Sequence, residues 1–328
     1  MKAVFFEEFG DLSKMSVVGR PRPTAGAKDL IVEMKGAGIN PVDWKIRAGY
    51  LKDAWPMELP IITGWDVSGT VVEVGSEVTN FKVGDEVYSY NRPAFDNPEY
   101  AATEDPIGRD GCCAEYVKVA EWKAAHKPKS INHSEAGGIP LAGLTAYQGV
   151  FDQGLMKEGQ SLLVLGASGG VGSFAVQFAK DAGIKVTGSC SHRNVDMVEE
   201  LGAEVVDYTK GDVDAQVKES HPDGFDVVYD CVGGDQTAAG IRALKKGGII
   251  VSIANTDVPE LAKEAGDDKV GKSFLVAVSG EQLKKIASMV DSNKVKVAHV
   301  TTFPLDESIK AFEALETNRA RGKIVITN

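Results

Sequence analysis

Apolar and polar positions change rhythm once along this chain. From Lys2 to about Glu121 the apolar residues come in short runs, punctuated by glycine and proline. Ala3–Phe6, Asp29–Ala37, Ser68–Val74 and Glu86–Tyr90 carry alternating or apolar β-type residues, bounded by Pro21–Gly26, Gly75–Ser76 and Gly84–Asp85. That pattern predicts short strands joined by turns, suited to a partly open barrel. Between Arg92 and Gly111 the sequence turns polar, contains prolines and loses its period. So long a stretch inside a domain reads either as a lid or partner-contact loop or as a floppy insertion.

After Pro128 the rhythm alternates. Ser134–Phe151 predicts a helical connector, followed by strand Ser161–Leu165, a helix near Gly170–Ala182 and strand Lys185–Cys190. A helix near Asn194–Leu201, strand Phe225–Asp230, a helix near Gln236–Leu244 and strand Gly248–Ile253 continue the series. Strand–helix alternation with β-branched strands predicts a parallel sheet covered on both faces, and so an α/β fold. Two further β-type runs close the chain, Ser273–Val278 and Lys323–Thr327. The second follows an amphipathic helix at Asp306–Glu316 and is expected to return to the first domain.

Composition narrows the class. A chain of 328 residues accommodates two domains, and 43% hydrophobic with 25% charged residues is ordinary for a soluble globular protein. The longest apolar runs, near Ile249–Ala254 and Phe274–Val278, are too short to span a bilayer, so no membrane partner is expected. The opening MKAVFFEEFGD lacks a cleavage pattern and reads as a first strand, which makes a cytoplasmic location the expectation. A net charge of −11 without a long basic block excludes the footprint of a nucleic-acid binder. The four cysteines, Cys112, Cys113, Cys190 and Cys231, form no CxxC pair and read as reduced thiols.

Candidate chemistry begins at SLLVLGASGGVGSFAVQFAKDA, Ser161–Ala182: an apolar strand, a glycine turn, then apolar residues at helical spacing. Ala167, Ser168, Gly169, Gly170, Val171 and Gly172 would form a pyrophosphate-binding loop, whose glycines allow close approach and whose helix-start amides attract negative charge. Tight strand–helix turns of other folds use glycine as well, so the loop alone leaves both readings open. An NAD site expects an acid at the end of the second strand. Here that end is Gly188–Arg193, GSCSHR, without one. Ser189, Ser191 and Arg193 would bind a 2′-phosphate that a carboxylate would repel, which favours NADPH. The alternative for Arg193 is solvation of a helix start. Tyr208 is a further candidate for the same phosphate.

Several segments in one order carry a resemblance: GINPVDWKIRAG at Gly38–Gly49, VGDEVY at Val83–Tyr88, AGLTAYQ at Ala142–Gln148, GASGGVG, LGAEVVDY at Leu201–Tyr208, DVVYDCVGG at Asp226–Gly234, SGEQL at Ser279–Leu283 and RGKIVI at Arg321–Ile326. Together they resemble the zinc-independent quinone oxidoreductase branch of the medium-chain dehydrogenase/reductase superfamily, and within it the enone and alkenal reductases. The resemblance implies a GroES-like catalytic domain from both chain ends, 1–124 and 298–328, and a Rossmann domain, 125–297, with NADPH in the cleft between them. It implies a homodimer, commonly through the last Rossmann strand near Ser273–Val278. It also implies cofactor contacts at Thr145, Cys231, Val232, Phe274, Leu275, Val276 and Arg321; for Arg321 an exposed helix-end arginine is the alternative.

Zinc-using dehydrogenases of the superfamily place a thiolate after the glycine of the second strand and an imidazole in a GHE segment. This chain has Asn40 at the first place and Gly64-Trp65-Asp66 at the second, so no metal is expected. Reduction of an enone or quinone then needs hydrogen-bond donors for the carbonyl oxygen. The resemblance places NPVDWK beside the nicotinamide. It makes Asn40 an orienting residue, Lys45 the candidate to stabilise the enolate or deliver a proton, and Asp43 the residue that holds Lys45. An ordinary surface ion pair between Asp43 and Lys45 is the alternative. Tyr50, Trp65 and Tyr90 are candidates for an apolar pocket around a flat conjugated substrate, or else core aromatics. The implied activity is NADPH-dependent reduction of a small quinone or enone. An alcohol dehydrogenase and a non-catalytic NADPH-binding sensor or structural protein are the rivals.

Overall fold

The computed structural model describes every residue except 54, 56, 57, 94–109 and 318. Most of the aperiodic stretch at 92–111 therefore lies outside the described residues. The chain forms two compact units: residues 1–141, 278–293 and 299–328 make the first, and residues 142–277 and 294–298 the second.

In the first unit, β1 (Lys2–Phe6), β2 (Met15–Gly19), β3 (Asp29–Ile39), α1 (Pro41–Arg47), β4 (Ile61–Ile62), β5 (Asp66–Val74) and β6 (Glu86–Tyr90) come first. Next are β7 (Tyr116–Ala120), β8 (Ala124–His126) and α2 (His133–Gly137). In the second unit α3 (Pro140–Tyr147), which straddles the boundary, runs into a π-helical turn at Gln148–Gln153. There follow β9 (Ser161–Leu165), α4 (Gly170–Asp181), β10 (Lys185–Cys190), α5 (Val195–Glu200), β11 (Glu204–Asp207) and α6 (Val213–Val217). Then come β12 (Phe225–Asp230), α7 (Asp235–Ala243), β13 (Leu244–Ser252), α8 (Val258–Glu264) and β14 (Val270–Ser273). The chain re-enters the first unit with α9 (Gly280–Asp291), β15 (Val300–Pro304), α10 (Ser308–Glu316) and β16 (Lys323–Thr327).

The second unit holds a six-stranded sheet of order β11-β10-β9-β12-β13-β14, parallel at every pairing. Leu163, Leu165, Phe225, Val228 and Ile250 are buried between sheet and helices, as the apolar runs require when both faces are covered. The first unit holds a small sheet, β2-β1-β4, and a larger one, β15-β16-β3-β5-β6-β8 with β7 also on β3. The larger sheet does not close on itself, which matches a GroES-like open barrel.

One strand expectation shifts. The last strand of the parallel sheet is Val270–Ser273, and Phe274–Val278 is not a strand. The side-chain amide of Gln148 takes up the backbone of Ala277 on both sides: Nε2 donates to its carbonyl at 2.9 Å and Oε1 accepts from its N–H at 2.8 Å. A side chain thus replaces the neighbouring strand that β-type residues at 274–278 would otherwise need. The short β11, four residues long and only half apolar, has too little pattern to be read ahead of the structure.

Candidate functional sites

In the second unit, chemistry collects around the turn from β9 into α4. Gly166 adopts φ +79°, and its N–H donates to Ser189 Oγ at 3.2 Å, while Ala167 N–H donates to the Ser189 carbonyl. The turn is thereby tied to the end of β10. A Cβ on Gly172 would lie 2.2 Å from the Gly166 carbonyl oxygen, so the helix start packs against the turn at glycine distance. Gly169 caps α4 without a side-chain hydrogen bond, leaving the first helical amides to an anion. Asn194 Nδ2 donates to Ser168 Oγ at 3.0 Å and to Ser191 Oγ at 3.4 Å. This asparagine gathers two of the expected serines and was not singled out in the sequence, because nothing local marks it.

Arg193 is exposed beside this group and has no ion pair among the described residues. The β10 end carries no acid of its own, yet the parallel register sets Asp207 opposite Cys190. That carboxylate is already engaged. Thr209 donates to Asp207 Oδ1 through both N–H and hydroxyl, and His192 and Lys210 stand 3.6 and 3.8 Å from Oδ2. These contacts, the Thr209 hydroxyl foremost, hold its pKa below the usual carboxylate range. Tyr208, half-exposed, lines a hollow of about 520 Å³ with Thr209, Asp212, Asp235, Gln236 and Arg242.

At the end of β12, buried Asp230 accepts from Val232 and Gly233 amides and from the Thr237 and Ser252 hydroxyls. It shapes the Cys231–Gly233 turn, from which Val232 projects into solvent. Burial pushes the Cys231 thiol well up and keeps it neutral. Thr145 is buried, and its carbonyl accepts from the Tyr229 hydroxyl. Of the 274–276 segment, Leu275 is exposed and Val276 buried.

In the first unit the candidates lie around α1. Asn40 follows β3 as the N-cap of α1 and precedes Pro41, whose fixed φ suits a first helical position. Asp43 does not hold Lys45. It is buried, and its Oδ2 accepts from the Asn40 N–H at 2.7 Å, so it closes the first turn upon itself. Lys45 points outward with its ammonium 6.0 Å from the Trp44 ring and has no carboxylate partner among the described residues. The expected Asp43–Lys45 pair fails for a geometric reason: the carboxylate is used for capping on the buried side of the helix.

Asn40 is also not free to meet a ligand. Its Nδ2 donates to Asp66 Oδ2 at 2.9 Å and its Oδ1 accepts from the Lys323 ammonium. Lys323 Nζ stands 3.7 Å from Asp66 Oδ2 and donates to the Ile39 carbonyl at 3.3 Å, and Leu141 N–H donates to Asp66 Oδ1 at 2.7 Å. All four side chains, Asn40, Asp43, Asp66 and Lys323, are buried. Sequence reading stopped at exposed Arg321 and passed over Lys323 two residues on, since no local pattern pairs it with positions 40 and 66.

Burial raises the Asp43 carboxyl to about 7, and nearby Asp66 adds to the rise. Burial likewise raises Asp66 to about 6, against the pull of Lys323 and Asn40. A carboxyl whose folded pKa lies above its unfolded value binds more protons when folded, so it costs stability as pH rises through that interval. Asp43→Asn keeps an acceptor for the Asn40 amide. It is expected to flatten the fall in melting temperature between about pH 4 and pH 7 and to melt higher than wild type above pH 7. Scanning calorimetry across that range checks it, and an unchanged pH profile counts against the assignment.

The proposed substrate aromatics separate. Trp65 and Tyr90 are buried, ring centroids 6.3 Å apart, with Trp55 at 5.6 Å from Trp65. Tyr50 is 71% exposed and packs edge-on against Trp44 at 5.8 Å.

Comparison with known proteins accords with this architecture. Residues 26–129 match the family model "Alcohol dehydrogenase GroES-like domain", and residues 201–326 match "Zinc-binding dehydrogenase". The chain is 37% identical to the 2-methylene-furan-3-one reductase of Solanum lycopersicum, over 99% of this chain and 79% of that one. It is 36% identical to the chloroplastic NADPH-dependent alkenal/one oxidoreductase of Arabidopsis thaliana, with the same coverage. The solved quinone oxidoreductase of Coxiella burnetii superposes with a TM-score of 0.86 at 31% identity, covering 100% of this chain and 99% of that one. The chain belongs to the medium-chain dehydrogenase/reductase superfamily. Its relatives there include quinone and alkenal/one oxidoreductases.

The second family description raises zinc, and the residues do not fit it. At the expected ligand positions Trp65 is packed in the core and the Asn40 amide is committed to Lys323 and Asp66. An ammonium beside them would repel a divalent cation. Among the described residues no group of three or more His, Cys, Asp or Glu side chains converges as metal ligands would.

Proposed function

We propose that the protein is an NADPH-dependent, metal-free reductase that transfers hydride to quinones or α,β-unsaturated carbonyls. The observation that carries the reading is the β9–α4 turn, with its glycine-distance contact at Gly172, an α4 start that no side chain caps, and its tie to Ser189. The kinship with proteins named alkenal/one and quinone oxidoreductases supports the choice of acceptor.

The α4 amides would hold the pyrophosphate, and Ser168, Ser191, Arg193 and Tyr208 the adenosine end. Engagement of Asp207 by Thr209, His192 and Lys210 supports tolerance of a 2′-phosphate near β10. Thr145, Cys231, Val232 and the 274–276 segment would contact the remainder, with Gln148 holding that segment in place. NADPH, when bound, supplies the hydride. As hydride adds to the β-carbon, charge moves to the carbonyl oxygen, and the Lys45 ammonium, with no carboxylate partner among the described residues, would donate to that oxygen. A proton, from Lys45 or from water it orients, completes the saturated ketone. Arg321 is kept as a phosphate contact. We also assign a homodimer through β14, which has no strand on its outer edge among the described residues and where Val270 is exposed.

The test follows oxidation of NADPH and NADH against quinones, short enals, cyclic enones and simple aldehydes, with and without a strong chelator. Turnover of NADPH with quinones or enones, undiminished by chelator, is expected. Tight NADPH binding with no oxidation across the panel points instead to a non-catalytic binder, and loss of activity in chelator to a metal enzyme.

A further inference from the structure

We propose that Lys323 is a positioning residue: its buried ammonium, balanced by Asp66, sets the Asn40 amide and through it the first turn of the helix that carries Lys45. The inference deepens the reductase reading and rests on it for its kinetic consequence.

The register makes the contact. β16 pairs antiparallel with β3, Ile324 opposite Ile39, so that the next step along both strands sets Lys323 beside Asn40. At this point β3 ends and α1 begins. Lys323 could solvate its ammonium at the surface, as lysines normally do. Instead it is 5% exposed and meets the Asn40 side-chain oxygen, the Ile39 carbonyl and Asp66.

Burying such a pair gains little stability over an apolar filling of the same space. What it gains is a unique arrangement. The ammonium accepts only the amide oxygen of Asn40 as neighbour, and the carboxylate of Asp66 only the amide NH₂. Rotating the amide by half a turn would set NH₂ against ammonium and oxygen against carboxylate. Asn40 is therefore held from both ends, while its own N–H is tied to Asp43 inside the first turn of α1.

Three variants of the full chain test this. Lys323→Met strands a carboxylate and should melt well below wild type. Lys323→Met/Asp66→Asn removes both charges and should regain most of that loss. Asn40→Leu leaves the ion pair whole. In the double variant and in Asn40→Leu, kcat should stay about tenfold to a hundredfold low, with KM for NADPH within about twofold of wild type. Hydrogen exchange of the Val42–Lys45 amides should quicken about tenfold while β5 keeps its protection. Rescue of melting temperature together with wild-type kcat and wild-type exchange in the double variant would overturn the proposal, leaving Lys323 a simple charge balance. If wild type reduces no acceptor, the reductase reading fails, and the exchange measurement alone still decides whether Lys323 positions α1.

Discussion

Lys45→Ala is expected to lower kcat for an enone or quinone by about a hundredfold, the usual cost of removing one donor to a developing oxyanion. KM for NADPH should stay within about twofold of wild type, because the residues assigned to the cofactor, Arg321 apart, belong to the second unit, and Lys45 is assigned to none of the cofactor contacts. The side chain is exposed and makes no ion pair among the described residues, so its removal leaves no buried group unpaired. Thermal stability should accordingly change little. Lys45→Arg should recover part of the rate by keeping the charge. Steady-state kinetics with both substrates varied makes the separation, and an unchanged kcat in Lys45→Ala removes the residue from the mechanism.

Gly172→Ala is expected to weaken NADPH binding by about a hundredfold or more. The added Cβ falls 2.2 Å from the Gly166 carbonyl oxygen and 2.9 Å from Ala167 Cα, both backbone atoms that no rotamer change can move aside. The turn must open, and the amides of the α4 start lose their aim at the phosphates. Two charge-assisted hydrogen bonds at about 1.5–3 kcal/mol each set the scale. Fluorescence titration with NADPH measures it, with circular dichroism to verify that the sheet persists. Binding at wild-type strength would mean that the turn serves packing alone.

The two variants draw on parts of the chain that differ in how readily they are read. The β9–α4 turn is legible because its chemistry is contiguous: strand, glycines and helix follow one another within Ser161–Asp181. Strands β9, β12 and the apolar part of β13 stand out as apolar runs for the same local reason, since burial on both faces leaves no room for polar alternation. Legibility fails where backbone partners come from side chains, as at Gln148 and Ala277, or where an acid is delivered by a neighbouring strand, as Asp207 is to the end of β10. It fails again at Asp43, where the spacing to Lys45 allowed an ion pair and helix capping took the carboxylate instead.

By itself the sequence determined the α/β class, the strand–helix alternation from β9 to β13 apart from β11 and α6, and the glycine turn. These follow from residue type and short-range spacing. Only the tertiary structure decided that Lys323 reaches Asn40 and Asp66, that Trp65 and Tyr90 are core, and that Tyr50 faces solvent. Side-chain partnership across nearly 300 residues depends on strand register and on which face of a sheet is covered. Neither is written in the local pattern.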